Sequence, residues 1–259
     1  MDPYTTLSEI SNAVHQLAPY LHSNQMEIRV LMPRYGTINE RRHRLHEVVR
    51  LSGMNIIVDD DDYPLIIKVA SLPGPVRMQV YFLDNEDFFK RKQIFEDGKG
   101  KPFEDNADRA VFFSKGVIET VKKFGWPPDI IHAHGWMTSL IPFYLKTTYK
   151  NEPLFQNSKI VYSIYEGDHE KQLSDAFITK ASINNLSEED LAAFHEDGKL
   201  AVHRGAVKYA DAIVKGQPDT SEGLTEFLLA NEKPTLEFHA EEAPQACKEF
   251  YLSLVTEEV

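Results

Sequence analysis

Residues 129–136 bring together side chains that could bind a ligand or catalyse a reaction. A short apolar run in this stretch ends in His132, His134, Gly135 and Trp136. Imidazole groups transfer protons or bind metals, and the apolar face of an indole suits the C–H groups of a sugar ring. The two histidines would lie on the same side of a continuing strand, as metal ligands can. Because no Asp, Cys or third His follows at ligand spacing, the sequence favours one histidine anchored by backbone hydrogen bonds beneath a loop.

The residues around this motif indicate a buried strand followed by a helix. Asp129–Ile131 lack a helical period and lie between two prolines and Gly135, which suits a buried parallel strand. From Trp136 to Tyr149 the apolar residues are spaced by three and four, which predicts a helix. Ligands of open α/β sheets bind at the carboxyl ends of strands, just before the next helix. The motif therefore lies where a binding site is expected.

The rest of the chain alternates between strand-like and helix-like segments. The other predicted strands are Glu27–Met32, Leu45–Val58, Leu65–Leu72, Arg77–Leu83, Lys159–Tyr165 and Ala212–Val214. The other predicted helices are Ser8–Leu21, Asp108–Phe124, Leu200–Tyr209 and Ser221–Ala230, with a further helix start at Ser187. This alternation predicts an α/β fold with a doubly wound, mostly parallel sheet and helices on both faces. We expect the strands near residues 27, 77, 129 and 159 to be adjacent in one sheet.

Composition and charge limit the possible functions. A hydrophobic fraction of 42% with 11% aromatic residues indicates a globular chain. The net charge of −12 disfavours nucleic acid and anionic membranes as partners, since both require clustered Lys and Arg, but it is compatible with a neutral sugar polymer. Cys247 is the single cysteine, so we expect no disulfide and a reducing, cytoplasmic environment. The sequence has no signal-like leader and no long apolar run, so we expect neither secretion nor a membrane span.

Several polar residues near predicted strand ends and helix starts are further candidates for a binding site. Tyr35 follows a predicted strand, and Asp105, Asn106 and Arg109 lie at the start of a long predicted helix. The last three could bind sugar hydroxyl groups, yet Asp105 is equally a helix cap and Arg109 a partner for it one turn later. Trp136 could equally stack on a sugar ring or pack in the core.

Charged clusters elsewhere in the sequence have simpler interpretations. The only basic cluster contains Arg41, Arg42, His43, Arg44 and His46. It could contact an anionic ligand, although a solvated helix face is favoured. Four consecutive aspartates at 59–62 indicate a turn in solvent. Residues 217–259 contain ten acidic residues and two lysines, which indicates the solvated face of packed helices more than an interaction tail.

Some enzyme classes are disfavoured by what the sequence lacks. Hydrolysis of a glycoside requires two carboxylates on opposite sides of a cleft, and the neighbouring acids Asp84, Glu86 and Asp87 cannot flank a bond in this way. No Gly-x-Gly-x-x-Gly follows a predicted strand, and no phosphate loop of the Gly-Lys-Ser/Thr type occurs. Dehydrogenases that use a nicotinamide cofactor and nucleoside triphosphatases therefore have little support.

Four sequence blocks occur in an order that is shared with a known family. They are Met32–Gly36, Val80–Glu86, Glu104–Asn106 with Arg109, and the motif at 132–136. In combination these blocks resemble the N-terminal catalytic domain of bacterial and plant starch/glycogen synthases. The likeness extends with gaps from Pro3 to about Tyr165 and is weak beyond it. It implies a Rossmann-like domain that forms a single half of the two-domain GT-B glycosyltransferase architecture.

The resemblance also implies a reaction, substrates and site residues. The implied activity is transfer of glucose from a sugar nucleotide, ADP-glucose or UDP-glucose, to an α-1,4-glucan such as glycogen or maltooligosaccharide. The residues expected to bind substrate are Tyr35, Asp105, Asn106, Arg109, His134 and Trp136. We assign no catalytic residue and expect neither a metal nor another cofactor. A second glycosyltransferase chain is an expected partner, because 259 residues suffice for only the first of the family's two domains.

This chain departs from the family at positions that matter for the donor. The family's Lys-x-Gly-Gly-Leu loop, suited to phosphate at a helix start, falls on Thr6–Ile10, which lacks the lysine and both glycines and places Glu9 there. Gly135 replaces the motif's acidic residue, and the strand that usually ends in Val-His-Asn reads Ile164-Tyr165-Glu166. We therefore expect the isolated chain to be inactive. Two functions remain open, a glucosyltransferase that needs a second domain in trans and a non-catalytic protein that binds glucan or partners a synthase.

Two further expectations concern the ends of the chain. The family places its first strand centrally in the sheet, directly before the position of Pro3, so we expect a strand-forming segment upstream of Met1. We expect residues 1–216 to form the Rossmann-like domain and residues 217–259 to form an acidic, helical segment packed on it.

Overall fold

The computed structural model describes residues 1–5, 8–74, 78–167, 173–174, 176–239 and 242–256. Thr6 and Leu7, which begin the segment aligned with the family's phosphate-binding loop, lie outside the described residues. Arg77, the expected first residue of a strand, also lies outside them. The described part of the chain forms an α/β fold with two larger sheets, flanked by helices.

The first half of the chain builds a mixed sheet. Its elements are α1 (Glu9–Ser23), β1 (Val30–Pro33), α2 (Glu40–His43), β2 (His46–Glu47), β3 (Met54–Val58), β4 (Asp61–Ser71), β5 (Gln79–Asp84), α3 (Glu86–Phe89) and α4 (Asn106–Phe124). The strands lie in the order β1-β5-β4-β2, and β3 pairs with β4 outside this path. Strands β1 and β5 are parallel, whereas β2, β3 and β5 all run antiparallel to β4.

The second half builds a parallel sheet. Its elements are β6 (Ile130–His134), α5 (Leu140–Lys146), β7 (Lys159–Ile164), α6 (Ala176–Ala181), β8 (His195–Glu196), β9 (Lys199–Leu200), α7 (Val202–Tyr209), β10 (Ala212–Lys215), α8 (Glu222–Ala230), β11 (Thr235–Leu236) and α9 (Ala243–Thr256). The strands lie in the order β11-β10-β7-β6, and every neighbouring pair is parallel. Strands β8 and β9 form a separate antiparallel pair. The described residues also include 3-10 segments at Trp136–Thr138, Pro153–Phe155 and Glu188–Phe194.

The aspartate run includes the hairpin turn between β3 and β4. Strands β3 and β4 pair antiparallel with Val58 opposite Asp61, so Asp59 and Asp60 form a two-residue turn. All four aspartates of residues 59–62 are exposed, and Lys180 pairs with Asp59 at 2.7 Å. Their like charges therefore remain in water, as expected, but only Asp59 and Asp60 form the turn, since Asp61 and Asp62 begin β4.

The expectation of one sheet containing the strands near residues 27, 77, 129 and 159 is wrong. Strand β1 pairs with β5 in the first sheet, and β6 pairs with β7 in the second. Strands β1 and β6 are each the last strand of their sheet among the described residues. Hydrophobic periodicity identifies a strand and its buried faces. Backbone hydrogen bonds between strands decide which strands pair, and the side-chain pattern does not reveal those bonds.

The two edge strands nevertheless begin close together. Arg29, just before β1, places its guanidinium 4.8 Å from the ring centre of Phe124 and 4.3 Å from that of Trp126, which lies just before β6. Ile28 packs against both hydrophobic cores of the chain. The cation–π contacts and this shared packing hold the two sheets side by side at the amino ends of β1 and β6.

Two helices illustrate how the cores are closed. Helix α4 carries Gly116, where a Cβ atom would lie 3.0 Å from a methyl group of Leu83, so the helix packs close to β5. Helix α9 packs on α1, and its Cys247, Tyr251 and Leu254 are buried in the smaller core.

Within the described part of the chain, no helix is both long and apolar enough to cross a membrane.

Candidate functional site

The chain turns sharply at the end of β6, where the histidine–tryptophan motif lies. Gly135 has a φ of 73°, in the left-handed region that side chains disfavour. A Cβ atom at this position would also lie 2.6 Å from Cδ1 of Ile10, in the first turn of α1. Glycine therefore lets α1 cover the carboxyl end of β6 while the chain enters the 3-10 segment at Trp136–Thr138.

His132 is held entirely by other side chains of the protein. Its Nε2 lies 2.6 Å from Oγ of Ser163 on β7, and its Nδ1 contacts the hydroxyl group of Tyr251 on α9. Burial, followed by the neighbouring His134, lowers the pKa of His132 well below its usual value. The expected hydrogen-bonded histidine is therefore His132, and its partners are side chains rather than the backbone.

His134 lies against His132 and differs from it in its hydrogen bonding. The two rings stack with centroids 3.9 Å apart. Burial, and to a smaller extent the charge of the chain's terminal amine, lowers the pKa of His134 to about 4, so the ring is neutral at pH 7. Its Nδ1 is buried and has no hydrogen-bond partner among the residues that the structure describes. This nitrogen is therefore a buried polar group whose hydrogen-bonding capacity is not used by the described residues.

Trp136 packs partly in the core, which was one of the two roles considered for it. The side chain is half-buried and packs against the main core, and its ring centre lies 4.8 Å from that of Phe95 at an angle of 55°. Phe95, also half-buried, belongs to the loop between α3 and α4. The two aromatic rings thus join the carboxyl end of β6 to that loop.

The loop after β1 meets the same aromatic cluster. Tyr35 is buried and contacts the rings of Phe89 and Phe95 edge to face, with centroids 5.9 and 6.0 Å apart. Burial raises its pKa to about 12. A Cβ atom on Gly36 would lie 2.2 Å from the carbonyl oxygens of both Lys90 and Arg91, so only glycine lets the loops after β1 and α3 approach this closely.

Asn106 and Arg109 lie beneath the loop rather than on its surface. The Arg109 side chain is fully buried, and its Nη1 donates to the Ile94 carbonyl at 2.6 Å and to Oδ1 of Asn106 at 2.7 Å. The Asn106 amide in turn donates to the Phe95 carbonyl at 2.8 Å. Burial lowers the pKa of Arg109, and its guanidinium lies 5.4 to 5.9 Å from the ring centres of Phe89, Phe95 and Phe103.

Asp105 has a different partner from the one expected. It precedes α4 but makes no capping hydrogen bond through its side chain, so the helix-cap interpretation is wrong. Both carboxylate oxygens instead bind the guanidinium of Arg91, with Nη1 to Oδ1 at 2.7 Å, and within the described ranges no ion pair joins Asp105 to Arg109. Arg91 also lies over the Phe103 ring at 4.4 Å. This partly exposed ion pair joins the beginning of the loop between α3 and α4 to its end.

A cluster of buried charges lies at the end of the first sheet and was not predicted. Arg34 is 2.8 Å from the carboxylate of Asp84, and Lys68 lies 2.8 Å from both Asp84 and Glu40. Burial opposes the charge of Lys68, but its hydrogen bonds to the two carboxylates outweigh this and raise its pKa. The sequence shows Arg34 and Asp84 after separate strands, and only the pairing of β1 with β5 reveals that they meet. The neighbouring basic cluster is mostly exposed, which agrees with a solvated helix face.

The end of β7 is filled by residues that depart from the family pattern. Tyr165 is half-buried beside His134 at a centroid distance of 6.3 Å, and a Cβ atom on Gly216 would lie 2.4 Å from its ring. Burial raises the pKa of Tyr165, and Glu9 adds to this effect. Glu166 accepts hydrogen bonds from the hydroxyl group and the backbone amide of Ser221, just before α8. The Tyr165 ring thus neighbours His134, and Glu166 joins the end of β7 to the start of α8.

Comparison with known proteins places the chain in a family. The family model described as the starch synthase catalytic domain matches residues 1–228. The chain belongs to this family. The glycogen synthase of Chlorobaculum tepidum is 35% identical over 95% of this chain and 48% of its own length. That of Pelodictyon phaeoclathratiforme is 37% identical over 82% of this chain and 43% of its own length.

The fold agrees with family membership. The catalytic domain of starch synthase IV from Arabidopsis thaliana, bound to ADP and acarbose, matches 93% of this chain and 50% of its own, with a TM-score of 0.75 and 17% identity. The resemblance and the Rossmann-like α/β fold expected from the sequence are thus confirmed, with this chain corresponding to one half of a GT-B architecture. The chain spans about half the length of the relatives and of the solved structure that it matches.

Proposed function

We propose that this chain is the glucan-binding half of a glucosyltransferase that moves glucose from ADP-glucose or UDP-glucose to glycogen or maltooligosaccharide. The observation that carries the proposal is the half-buried side chain of Trp136 at the carboxyl end of β6, in a family of starch and glycogen synthases. A second glycosyltransferase chain supplies the other half of the fold and the donor site. We place the reaction in the cytoplasm, which the single, buried cysteine supports.

The six candidate residues divide into two groups under this proposal. Trp136 stacks on a glucose ring, the His134 ring binds a hydroxyl group, and Asp105 accepts hydroxyl hydrogen bonds beside Arg91. Tyr35, Asn106 and Arg109 lie below them, and their burial supports an indirect role.

A non-catalytic role is the second candidate, and contacts around His134 favour it. The ring of Tyr165 lies where the family pattern has a histidine, and it packs against Gly216. Glu9 begins α1, where a phosphate group would otherwise meet free amide groups and a positive helix end. Both features oppose a sugar nucleotide while leaving Trp136 open to a neutral glucan.

Glucan binding can be tested by calorimetric titration of the chain with maltoheptaose. Sugar contacts of this kind are few and solvated, so we expect a dissociation constant on the order of millimolar. Replacing Trp136 by alanine should weaken binding by about tenfold, because it removes the stacking surface. Trp126, whose ring packs under Arg29 away from the site, provides the matched control, and Trp126→Ala should leave the affinity within about twofold. Equal losses from the two variants would contradict the proposed site.

Catalysis can be tested by transfer of radiolabelled glucose from ADP-glucose and UDP-glucose to glycogen. We expect no transfer by the chain alone, and transfer after addition of the carboxyl-terminal half of the Chlorobaculum tepidum relative. Failure to restore transfer, together with measurable maltoheptaose binding, would favour the non-catalytic role. Turnover by the isolated chain that is abolished by His134→Ala would contradict both the trans requirement and the non-catalytic role.

A further inference from the structure

Phe95 is an aromatic residue at the candidate site for which the sequence predicts no role. Its half-buried ring lies 4.8 Å from that of Trp136, and the two planes are inclined by 55°. The apolar face of each ring can contact the C–H groups of a sugar. Consecutive glucose units of an α-1,4-linked chain are inclined to one another because the chain curves, whereas those of a β-1,4-linked chain form a flat ribbon. Two inclined rings therefore match a curved glucan.

The backbone around Phe95 is held more firmly than an ordinary surface loop. The Phe95 carbonyl accepts hydrogen bonds from the Phe103 amide at 3.0 Å and from the side chain of Asn106 at 2.8 Å. The preceding carbonyl, of Ile94, accepts from Nη1 of Arg109 at 2.6 Å. Three donors thus act on two consecutive carbonyl groups.

The same interactions join the loop to α4. Asn106 and Arg109 belong to the first turn of α4, both are almost completely buried, and Arg109 also donates to Asn106. The Arg109 guanidinium lies over the rings of Phe89, Phe95 and Phe103, so its charge is stabilised by aromatic faces and carbonyl groups. A buried cation with these partners can stabilise one position of the loop relative to others.

We propose that Phe95 and Trp136 form a two-ring platform that contacts glucose units of an α-glucan, and that Asn106 and Arg109 are positioning residues that hold Phe95 at this platform. The inference rests on the proposed glucan-binding function and deepens it. It adds Phe95 to Trp136 as a residue that contacts sugar. It also gives the buried residues Asn106 and Arg109 a role that needs no contact with the glucan, and it favours curved glucans as ligands.

The first test compares Phe95 variants by calorimetric titration with maltoheptaose and, separately, with cellohexaose. We expect Phe95→Ala to weaken maltoheptaose binding by about five- to tenfold and Phe95→Tyr, which keeps the ring, to retain wild-type affinity. Cellohexaose should bind at least about tenfold more weakly than maltoheptaose to the wild-type chain. Wild-type affinity in Phe95→Ala, or equal affinity for the two oligosaccharides, would overturn the platform. Absence of maltoheptaose binding to the wild-type chain would instead refute the proposed function.

The second test isolates the positioning role. Asn106→Asp keeps the shape and the oxygen that receives Arg109 but removes the amide that donates to Phe95. In a Trp126→Phe background, Trp136 is the only tryptophan and its fluorescence reports the neighbouring Phe95 ring. We expect Asn106→Asp to shift this emission and to weaken maltoheptaose binding by about threefold, and Arg109→Lys, which keeps the charge, to lose less affinity than Arg109→Met. Unchanged emission and affinity in Asn106→Asp, with a lower melting temperature alone, would overturn the positioning role.

Discussion

The two sheets differ in how their carboxyl ends stabilise buried polar groups. At the end of the first sheet, opposite charges form ion pairs. At the end of the second sheet, uncharged rings and hydroxyl groups form hydrogen bonds and stack. In the first sheet, Arg34 and Lys68 share the carboxylates of Asp84 and Glu40. The side chain of Asp84 is only 3% exposed, so its charge depends on these two cations. Removing one member of such a cluster leaves a buried charge without its partner.

The network of the second sheet depends on neutrality instead. His132 lies between the hydroxyl groups of Ser163 and Tyr251, and His134 stacks on it. Burial lowers the pKa of both histidines, so neither carries a charge at pH 7. The difference indicates that the first sheet is sensitive to loss of a charge, whereas the second is sensitive to gain of one.

The largest effect expected from this comparison follows replacement of Asp84 by asparagine. The change leaves Arg34 and Lys68 without their shared buried carboxylate and should lower the free energy of unfolding by about 3–5 kcal/mol, measured by urea titration at pH 7. Glu86→Gln is the control, because Glu86 pairs with Lys90 in an exposed position and its loss should have no measurable effect. Similar stability of the two variants would mean that the buried cluster does not differ from a surface ion pair.

Acidification should act on the second sheet. The pKa of His134 is about 4 in the folded chain and about 6.5 in an unfolded one, so the unfolded state binds more protons between these values. Stability is therefore fully present above pH 6.5 and is lost as the pH falls toward 4, by up to about 3 kcal/mol from this residue. Urea unfolding at several pH values should show that His134→Gln is less acid-sensitive than the wild-type chain. Parallel pH curves would indicate that His134 is accessible to protons when folded.

The smallest of these effects should follow removal of a single hydroxyl group. Tyr251→Phe keeps the ring in the smaller core but leaves Nδ1 of His132 without its partner, which should cost about 1–2 kcal/mol at pH 7. Leu252→Ala on the exposed face of α9 is the control for effects on the helix itself. A loss as large as that of Asp84→Asn would mean that the neutral network is as costly to break as the charged one.

Local features of both sheets were predictable because they depend on neighbouring residues. The hairpin turn at Asp59 and Asp60, the long helix α4 and the strand before the histidine–tryptophan motif follow from charge, periodicity and flanking prolines or glycine. Helix α4 begins two residues earlier than predicted, at Asn106, within the usual uncertainty of helix ends. The division into two sheets was not predictable in this way, since strand partners lie far apart in the sequence.

The candidate site shows the same division. The sequence proposes His134, Trp136 and Asp105 as candidates because unusual polar or aromatic residues follow predicted strands or begin a helix. It gave no candidate role to Phe95, because a phenylalanine in a charged loop carries no signal of its own until the ring of Trp136 is found beside it. It also could not distinguish a solvent-facing Arg109 from one buried beneath that loop.

The sequence by itself determined the α/β class, the family and the positions of the chemically active side chains along the chain. These properties depend on periodicity and on motifs of a few adjacent residues. Only the tertiary structure decided which polar groups are buried, charged or free, because their partners come from distant segments. His132 is neutral and held because Tyr251, 119 residues later, reaches it from α9. Burial and hydrogen-bond partners, which set the pKa of such a group, exist only once those segments have packed together.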